Sequence, residues 1–344
     1  MVVDDSMVAR AVLSRMIEAD GHFEIVGVAG TAEDAIVALS HVEVDIVLLD
    51  LEMPGVGGLK SIPRIIEAAR GARIMIVSSA AEEGAEETVA ALAMGAADTL
   101  PKPGTGRFNG RFSEVLIARL RALGHVDQRQ VSGPGRYFAQ PAAEHNLRTM
   151  SADPISLLAL GASTGGIHAL GTFLAALPAV TGVPILITQH LPPAFMTVFA
   201  RQLGVVAKRP AVVAVDGMKL VADTLFVAPG DAHLTVAEEY GERVIRLFRF
   251  VSASGCLPSV DPMFASAGVV AGRSALGVVL TGMGRDGVEG AAKLVACGGS
   301  VLAQDEVSSA VWGMPRAVAE AGLAAAILPP EQLARRVASR CAGL

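Results

Sequence analysis

Short runs of apolar residues alternate along the chain with segments whose apolar residues recur at the spacing of one helix face. In the first third, the apolar runs predict strands at 23–28, 45–50 and 73–79. Helical spacing predicts helices at 8–18, 85–94 and 112–123, the first with Val8, Val12 and Met16 on one face. Because strands that alternate with helices pair in parallel, this region predicts a parallel sheet flanked by helices.

The same alternation returns from residue 155 onward. The predicted strands lie at 155–161, 183–189, 224–229, 275–282, 300–304 and 324–329. The predicted helices lie at 165–177, 194–203, 259–271, 288–296, 307–321 and 330–342. Polar and apolar residues alternate on both sides of Tyr240 and Gly241, which predicts a β-hairpin insert in this half.

Between the two regions, residues 124–152 are polar, contain glycine and proline and show no sustained period. This composition is typical of a linker between domains. A length of 344 residues also fits two domains. We therefore predict an α/β fold with two doubly wound parallel-sheet domains. The first, over 1–123, is flavodoxin-like, and the second, over 153–344, is a larger Rossmann-like domain that carries the hairpin.

Composition narrows the class of protein. Hydrophobic residues make up 52% of the chain, yet no apolar run reaches the roughly 18 residues of a membrane span, and buried parallel strands account for the excess. The net charge is −6 and no stretch concentrates lysine and arginine, so we expect no nucleic-acid partner. Three cysteines without metal-type spacing and an acidic N-terminus favour a reduced, cytoplasmic protein without a signal peptide.

Polar residues follow successive strands of the first predicted sheet. Asp4 and Asp5 end the first strand, Asp50 and Ser78 end two others, and Lys102 follows the last. Carboxylates that meet at one sheet edge repel one another unless a hard cation such as Mg²⁺ lies among them. A hydroxyl and an ammonium at the same edge complete a pocket for a phosphoryl group.

In these residues the segment 1–123 resembles a response-regulator receiver domain. The resemblance implies phosphorylation of Asp50 in "DLEMPG" by a histidine kinase, with Ser78 and Lys102 as switch residues. It also implies Mg²⁺ binding, for which the candidate residues are Asp4, Asp5, Asp50 and Glu52. Two features depart from the family: only three residues precede the acidic pair, which fits a start further upstream, and Thr99 stands where receivers commonly have an aromatic residue.

Three polar residues share one placement in the second half. Ser163 in "GASTGG", His190 and Asp286 each follow a predicted strand, so a parallel sheet would bring them to one edge. Together they allow acyl transfer, with serine as nucleophile, histidine as base and aspartate orienting the imidazole. The hydrolysis rate should then fall on acidification through the ordinary histidine pKa of about 6.5.

A different assignment is also open, because Gly161–Gly165 match the G-x-S-x-G pattern of α/β-hydrolases. In that fold the acid precedes the histidine, which would make His233 the base. The acid would then be one of Asp216, Asp223 and Asp231. Since His233 opens the predicted hairpin rather than ending a sheet strand, the first assignment fits the pattern better.

Residues 153–344 resemble the catalytic domain of the CheB chemotaxis methylesterases. The motifs that carry the resemblance are "GASTGG", "ITQHLPPAF", "FVAPGDAHL", "PSVDPMF", "LTGMGRDGVEGA" and "GMPRAV". It implies that Ser163, His190 and Asp286 hydrolyse glutamate γ-methyl esters of chemoreceptors and deamidate certain glutamines, without a cofactor for hydrolysis. Cys256 and Leu257 stand where the family commonly has histidine and arginine.

Two other functions compete with this interpretation. One is an esterase for small esters, and the other is a nucleotide- or partner-binding module built on the glycine-rich turn at 161–166, which lacks G-x-G-x-x-G. The presence of a phosphorylation site and a hydrolase on one chain further suggests gating. We expect the unphosphorylated receiver to hinder hydrolysis, so that removal of residues 1–150 would speed it.

Overall fold

The computed structural model describes residues 1–78, 84–103, 110–124 and 146–341. The chain divides into two compact units, Met1–Ser132 and Gly133–Leu344. Most of the predicted linker, 125–145, lies outside the described residues, so the bounds of the linker stay a prediction.

The N-terminal unit contains a five-stranded parallel sheet in the order β2-β1-β3-β4-β5, the flavodoxin-like order. Its strands are β1 Val2–Val3, β2 Val28–Ala29, β3 Ile46–Leu49, β4 Arg73–Ile76 and β5 Asp98–Thr99. Its helices are α1 Met7–Glu18, α2 Ala32–Leu39, α3 Gly58–Ala68, α4 Ala85–Ala93 and α5 Gly110–Gly124. The predicted doubly wound fold of this unit is confirmed.

Two details of this unit differ from the sequence prediction. Helix α1 buries Ala9, Leu13 and Ile17, one position along from the predicted stripe, and leaves Val8 exposed. Strand β2, Val28–Ala29, shares only Val28 with the predicted 23–28, so that prediction is wrong over 23–27; β1 offers only two residues for β2 to pair with.

The C-terminal unit contains a seven-stranded parallel sheet in the order β14-β13-β12-β6-β7-β9-β8. Its strands are β6 Leu157–Ala162, β7 Ile185–Gln189, β8 Ala211–Val213, β9 Leu225–Val227, β12 Ala275–Val279, β13 Ser300–Gln304 and β14 Ala324–Leu328. Its helices are α6 Gly166–Ala176, α7 Pro193–Ala207, α8 Val260–Ala271, α9 Val288–Ala296, α10 Met314–Glu320 and α11 Pro330–Ala338.

The central strands β6, β7, β12 and β13 are buried along their whole length, as expected for a parallel sheet covered on both faces. The edge strand β8 was not predicted, because it is only three residues long and half-buried. Helix α10 begins later than the predicted 307, since Ser308 and Ser309 donate hydrogen bonds to Asp305 and form a polar turn instead.

The predicted hairpin is present as β10 His233–Glu239 and β11 Glu242–Phe248. Tyr240 and Gly241 both have positive φ, 54° and 78°, as a two-residue hairpin turn of type I′ requires. The inner face of the hairpin, including Leu234 and Ile245, packs into the core of the unit. Among the described helices, none is both long enough and apolar enough to cross a membrane.

Candidate active site

The carboxyl ends of β6, β7 and β12 form the centre of the C-terminal unit. From β6 the chain passes to β7 on one side of the sheet and later returns to β12 on the other side. Open parallel sheets bind ligands at such a change of direction, in the crevice beyond the strand ends. Ser163, His190 and Asp286 follow these three strands, so the sheet brings all three to this crevice.

Ser163 is fixed through its backbone. Its N–H donates to the Thr281 carbonyl at 3.0 Å, and its carbonyl accepts from Gln189 Nε2 at 2.8 Å and from the Gly166 N–H at 2.7 Å. No residue within the described ranges gives the Ser163 hydroxyl a hydrogen bond, and the residue is partly exposed. The main chain is therefore held by the sheet while the hydroxyl is available to a substrate.

Glycine is required beside Ser163 by close packing. A Cβ atom on Gly282 would lie 2.7 Å from Ser163 Cβ and 2.4 Å from Met314 Sδ. A Cβ atom on Gly166 would lie 2.8 Å from Ala162 Cβ and 2.1 Å from Gln189 Oε1. The glycines of "GASTGG" and "LTGMG" thus let the two loops approach the serine.

His190 continues the ladder between β6 and β7. Its backbone N–H donates to the Ala162 carbonyl at 3.2 Å, next to Ser163, and its ring Nε2 lies 2.8 Å from Asp286 Oδ2. Burial acts to lower the pKa of His190, but hydrogen bonds with Asp286 and Cys256 raise this pKa to about 9. The carboxylate selects the tautomer in which Nε2 carries the proton, which leaves Nδ1 as the basic nitrogen.

Asp286 is a fully satisfied buried carboxylate. Besides the His190 ring, it accepts from Ser259 Oγ at 2.6 Å, Ser254 Oγ at 2.9 Å and the Val260 N–H at 2.7 Å. Burial acts to raise the pKa of Asp286, but the hydrogen bonds from His190, Ser259 and Val260 hold it well below its ordinary value. The group therefore stays ionised and stabilises a positive charge on the imidazole.

Sequence reasoning missed Ser254 and Ser259, although one of them carries a readable pattern. Ser259 is the N-cap of α8, and its hydroxyl accepts from the Asp261 N–H at 3.2 Å. A serine directly before an apolar helical segment is a common N-cap, but its second role as donor to Asp286 depends on the tertiary fold. Since Val260 is the first residue of α8, Asp286 lies at the positive end of a helix dipole.

The alternative base, His233, has no free ring nitrogen. Its Nδ1 accepts from the Ser259 N–H at 3.0 Å, its Nε2 donates to the Phe250 carbonyl at 2.8 Å, and the side chain is fully buried. The three associated acids have other partners: Asp216 accepts from Arg246, Asp223 from Thr181 and Asp231 from Arg249. His233 therefore supports the loop that holds Ser259, and the α/β-hydrolase assignment is wrong.

A separate polar cluster lies at the carboxyl edge of the N-terminal sheet. Carboxylate oxygens of Asp4, Asp5 and Asp50 lie within 4.8 Å of one another. Lys102 Nζ lies 2.6 Å from Asp50 Oδ2 and 2.7 Å from Asp4 Oδ2. The Lys102 N–H donates to the Ser78 carbonyl at 2.8 Å, so the backbone links these two residues at the same edge.

The oxygen donors of this cluster fit a hard cation such as Mg²⁺. Asp4 Oδ2 is buried and accepts no well-oriented hydrogen bond from the described residues, although it pairs with the Lys102 ammonium. Burial raises the pKa of Asp50 despite the contact with Lys102. Glu52 donates its backbone N–H to Asp50 Oδ1 at 3.2 Å, and its carboxylate is not in the group of three.

Comparisons with known proteins agree on both units. The family model described as "CheB methylesterase" matches residues 158–337, and the model described as "Response regulator receiver domain" matches residues 1–107. Over 346 residues the chain is 41% identical to "Protein-glutamate methylesterase/protein-glutamine glutaminase 2" of Caulobacter vibrioides, covering 99% of this chain and 98% of that protein.

A second curated relative, "Protein-glutamate methylesterase/protein-glutamine glutaminase 1" of Paramagnetospirillum magneticum, is 36% identical over 357 residues, covering 97% of this chain and 93% of that protein. Among solved structures, the CheB methylesterase catalytic domain of Thermotoga maritima is 31% identical with a TM-score of 0.52. The match covers 54% of this chain and 98% of that chain.

Proposed function

The chain belongs to the CheB methylesterase family and carries a response-regulator receiver domain, and from this we propose that it is a phosphorylation-regulated protein-glutamate methylesterase. Its substrates would be glutamate γ-methyl esters of chemoreceptors, which it hydrolyses to glutamate and methanol during adaptation in chemotaxis. Hydrolysis of certain receptor glutamines to glutamate and ammonia would be its second activity. The named activities of its full-length relatives support both assignments.

The 2.8 Å hydrogen bond between His190 Nε2 and Asp286 Oδ2, with the His190 N–H bonded to the carbonyl of Ala162 next to Ser163, carries the mechanistic part of this proposal. The Ser163 hydroxyl attacks the γ-carbonyl carbon while His190 Nδ1 takes its proton. The imidazolium then protonates the methoxy oxygen, so that methanol leaves and an acyl-serine remains. Water attacks the acyl-serine with its proton passing to His190, and the glutamate carboxylate and the serine hydroxyl are regenerated.

The buried Asp286 supports this cycle in two ways. Its carboxylate receives the Nε2 proton of His190, which fixes the ring orientation, and its negative charge stabilises the imidazolium formed in each half of the reaction. Three further donors keep the carboxylate itself in place, namely Ser254, Ser259 and the Val260 N–H.

The polar cluster at the N-terminal sheet edge supports phosphorylation of Asp50 by a chemotaxis histidine kinase. Asp4, Asp5 and Asp50, with Glu52 in the same loop, would hold Mg²⁺, which supplies neutralisation of the phosphoryl charge when it is bound. Lys102 is already paired with Asp50 and would pair with the phosphoryl oxygens, and the Ser78 hydroxyl would donate to them. We propose that this modification relieves inhibition of ester hydrolysis.

The decisive experiment supplies two substrates to the purified full-length protein. Methanol release from methylated chemoreceptor is measured beside cleavage of a simple aryl ester, each with parent protein and with Ser163→Ala. Receptor hydrolysis that depends on Ser163 and exceeds aryl-ester cleavage is the expected result. Efficient cleavage of the aryl ester alone would instead indicate a small-ester esterase, and ligand binding without any hydrolysis would indicate a binding module.

A further inference from the structure

The mechanism above does not use the thiol of Cys256, although this thiol lies in the crevice. Donor atoms of Cys256, His190 and Asp286 lie within 4.8 Å of one another, and Cys256 and His190 are both partly exposed. The three residues come from separate parts of the fold: the loop before α8, the end of β7 and the loop after β12.

The loop that carries the thiol is tied to the same carboxylate. Ser252 Oγ donates to the Cys256 carbonyl at 2.8 Å, and the Cys256 N–H donates to Ser254 Oγ at 3.4 Å. Ser254 Oγ in turn donates to Asp286 Oδ1 at 2.9 Å. The thiol is therefore held at a fixed place beside the His190–Asp286 pair rather than on a free surface loop.

We propose that Cys256, His190 and Asp286 form a site for a thiophilic divalent cation such as Zn²⁺, whose occupation blocks ester hydrolysis. A thiolate, an imidazole and a carboxylate are the donors that Zn²⁺ takes in proteins. In tetrahedral coordination at Zn²⁺ bond lengths, two such donor atoms lie roughly 3.3 to 3.6 Å apart. The three donor atoms lie within 4.8 Å of one another, near this spacing. The 2.8 Å between His190 Nε2 and Asp286 Oδ2 must lengthen by roughly 0.5 Å when a cation enters, since the two atoms are now joined by a proton.

The site is also chemically distinct from the carboxylate cluster at Asp4, Asp5 and Asp50. That cluster offers oxygen donors alone and suits Mg²⁺, whereas a sulfur and a nitrogen donor disfavour a hard cation. The two clusters should therefore discriminate between Mg²⁺ and Zn²⁺.

A cation bound at this site would act directly on His190, the proposed base. A cation bound by the imidazole and by Asp286 takes the place of the proton between them, and its charge lowers the basicity of the remaining ring nitrogen. The inhibition rests on the proposed function, whereas binding of the cation does not. A measurement of binding therefore separates a failure of this inference from a failure of the proposed hydrolysis.

The experiment uses Co²⁺ and Zn²⁺ with the full-length protein after treatment with a chelator. Binding of Co²⁺ to a thiolate gives a charge-transfer absorption in the near ultraviolet. We expect this absorption in the parent, in Ser163→Ala and in the matched control Cys297→Ser, which alters an exposed cysteine. We expect it to be absent from Cys256→Ser and from Cys256→Ala, whose folding is checked by thermal melting in chelator.

In the activity assay, each variant is compared with its own rate in chelator. The Zn²⁺ concentration that halves hydrolysis should be at least tenfold lower for the parent and Cys297→Ser than for Cys256→Ser, and added chelator should restore the rate. Mg²⁺ at the same concentrations should not inhibit. A thiolate band that persists in both Cys256 variants, or equal Zn²⁺ sensitivity of parent and Cys256→Ser, would overturn the proposal.

Discussion

His190 Nε2 lies 2.8 Å from Oδ2 of Asp286, a carboxylate that is only 1% exposed and has three other hydrogen-bond donors. A buried charge with so many partners cannot relax easily when its histidine changes protonation state. The pair therefore holds the imidazole in one orientation at the end of β7. Ser163 occupies the neighbouring position at the end of β6, where the His190 N–H bonds to Ala162.

Replacement of the serine tests the nucleophile. Ser163→Ala should lower kcat for methanol release by about 10⁴-fold or more, because removal of a nucleophile from such a triad leaves only binding and oxyanion stabilisation. The melting temperature should change little, since no hydrogen bond of the hydroxyl lies within the described part of the chain. Ser339→Ala, at an exposed serine after α11, is the control and should retain the parent rate.

The pH profile tests the base. Only neutral His190 can accept a proton, and the pKa of its imidazolium is raised to about 9 by Asp286 and Cys256 against the effect of burial. In metal-free buffer, kcat/KM should therefore rise about tenfold per pH unit from mildly acidic pH up to this pKa, and not level off near 6.5 as the sequence alone led us to expect.

Asp286→Asn removes the charge that raises this pKa. The acid limb of its profile should move down towards the ordinary histidine range of about 6.5, with a much lower plateau rate. Two results would contradict the contact between His190 and Asp286. One is an acid limb of the parent profile that already ends near the ordinary histidine pKa, and the other is an acid limb that Asp286→Asn does not move.

Ser259 tests the support of the carboxylate. Ser259→Ala removes a 2.6 Å donor to Asp286 from a fully buried position, and hydrogen bonds to charged groups are worth about 1.5–3 kcal/mol. We expect kcat to fall with little change in KM, and the acid limb of the profile to shift. Ser259→Thr, which keeps the hydroxyl, should restore most of the rate, and Ser254→Ala, at an exposed donor to the same oxygen, should have a smaller effect.

Much of this site was predictable from the sequence because parallel strands place their ends at one edge. Apolar runs located β6, β7 and β12 closely enough to identify Ser163, His190 and Asp286 as residues that follow them. The rule is robust to errors of a residue or two in strand bounds, since the residue after a strand stays at the same edge.

Other parts depended on long-range contacts that no local pattern contains. The donors Ser254 and Ser259 come from a loop whose position depends on α8 and on the buried His233. The offset of the buried stripe on α1 has the same origin, because several apolar stripes in one helix satisfy the spacing and the sheet selects among them. Likewise, strand β8 is too short to stand out from its surroundings.

Two glycines of helix α6, Gly166 and Gly171, provide a test of close packing beside Ser163 and its matched control. Gly166→Ala introduces a Cβ 2.8 Å from Ala162 Cβ and 2.1 Å from Gln189 Oε1, and Gln189 holds the Ser163 carbonyl. We expect a loss of at least tenfold in kcat together with a lower melting temperature. Gly171→Ala lies in the same helix with no atom within 4 Å of the added Cβ, and should keep the rate while stabilising the helix by about 1 kcal/mol.

Phosphorylation of the receiver tests regulation. With Mg²⁺ and a small phosphoryl donor such as acetyl phosphate, the parent should hydrolyse methylated receptor at least about tenfold faster, which corresponds to about 1.4 kcal/mol. Asp50→Asn should show no increase, because the amide cannot accept the phosphoryl group. Lys102→Ala removes the cation paired with Asp50 and Asp4, and should lower the response to the donor without lowering the unstimulated rate.

Removal of the receiver separates inhibition from activation. Deletion of residues 1–145 keeps Arg148 and Ser151, whose backbone amides bond to the Ala324 carbonyl and to Ser300 Oγ in the C-terminal unit. If the unphosphorylated receiver hinders hydrolysis, this fragment should be faster than the untreated full chain and indifferent to the phosphoryl donor. A fragment that is folded by thermal melting yet no faster would exclude a block by the receiver, because removal of an inhibitory domain must raise the rate. An increase with the phosphoryl donor in the full chain would then mean that phosphorylation activates the enzyme.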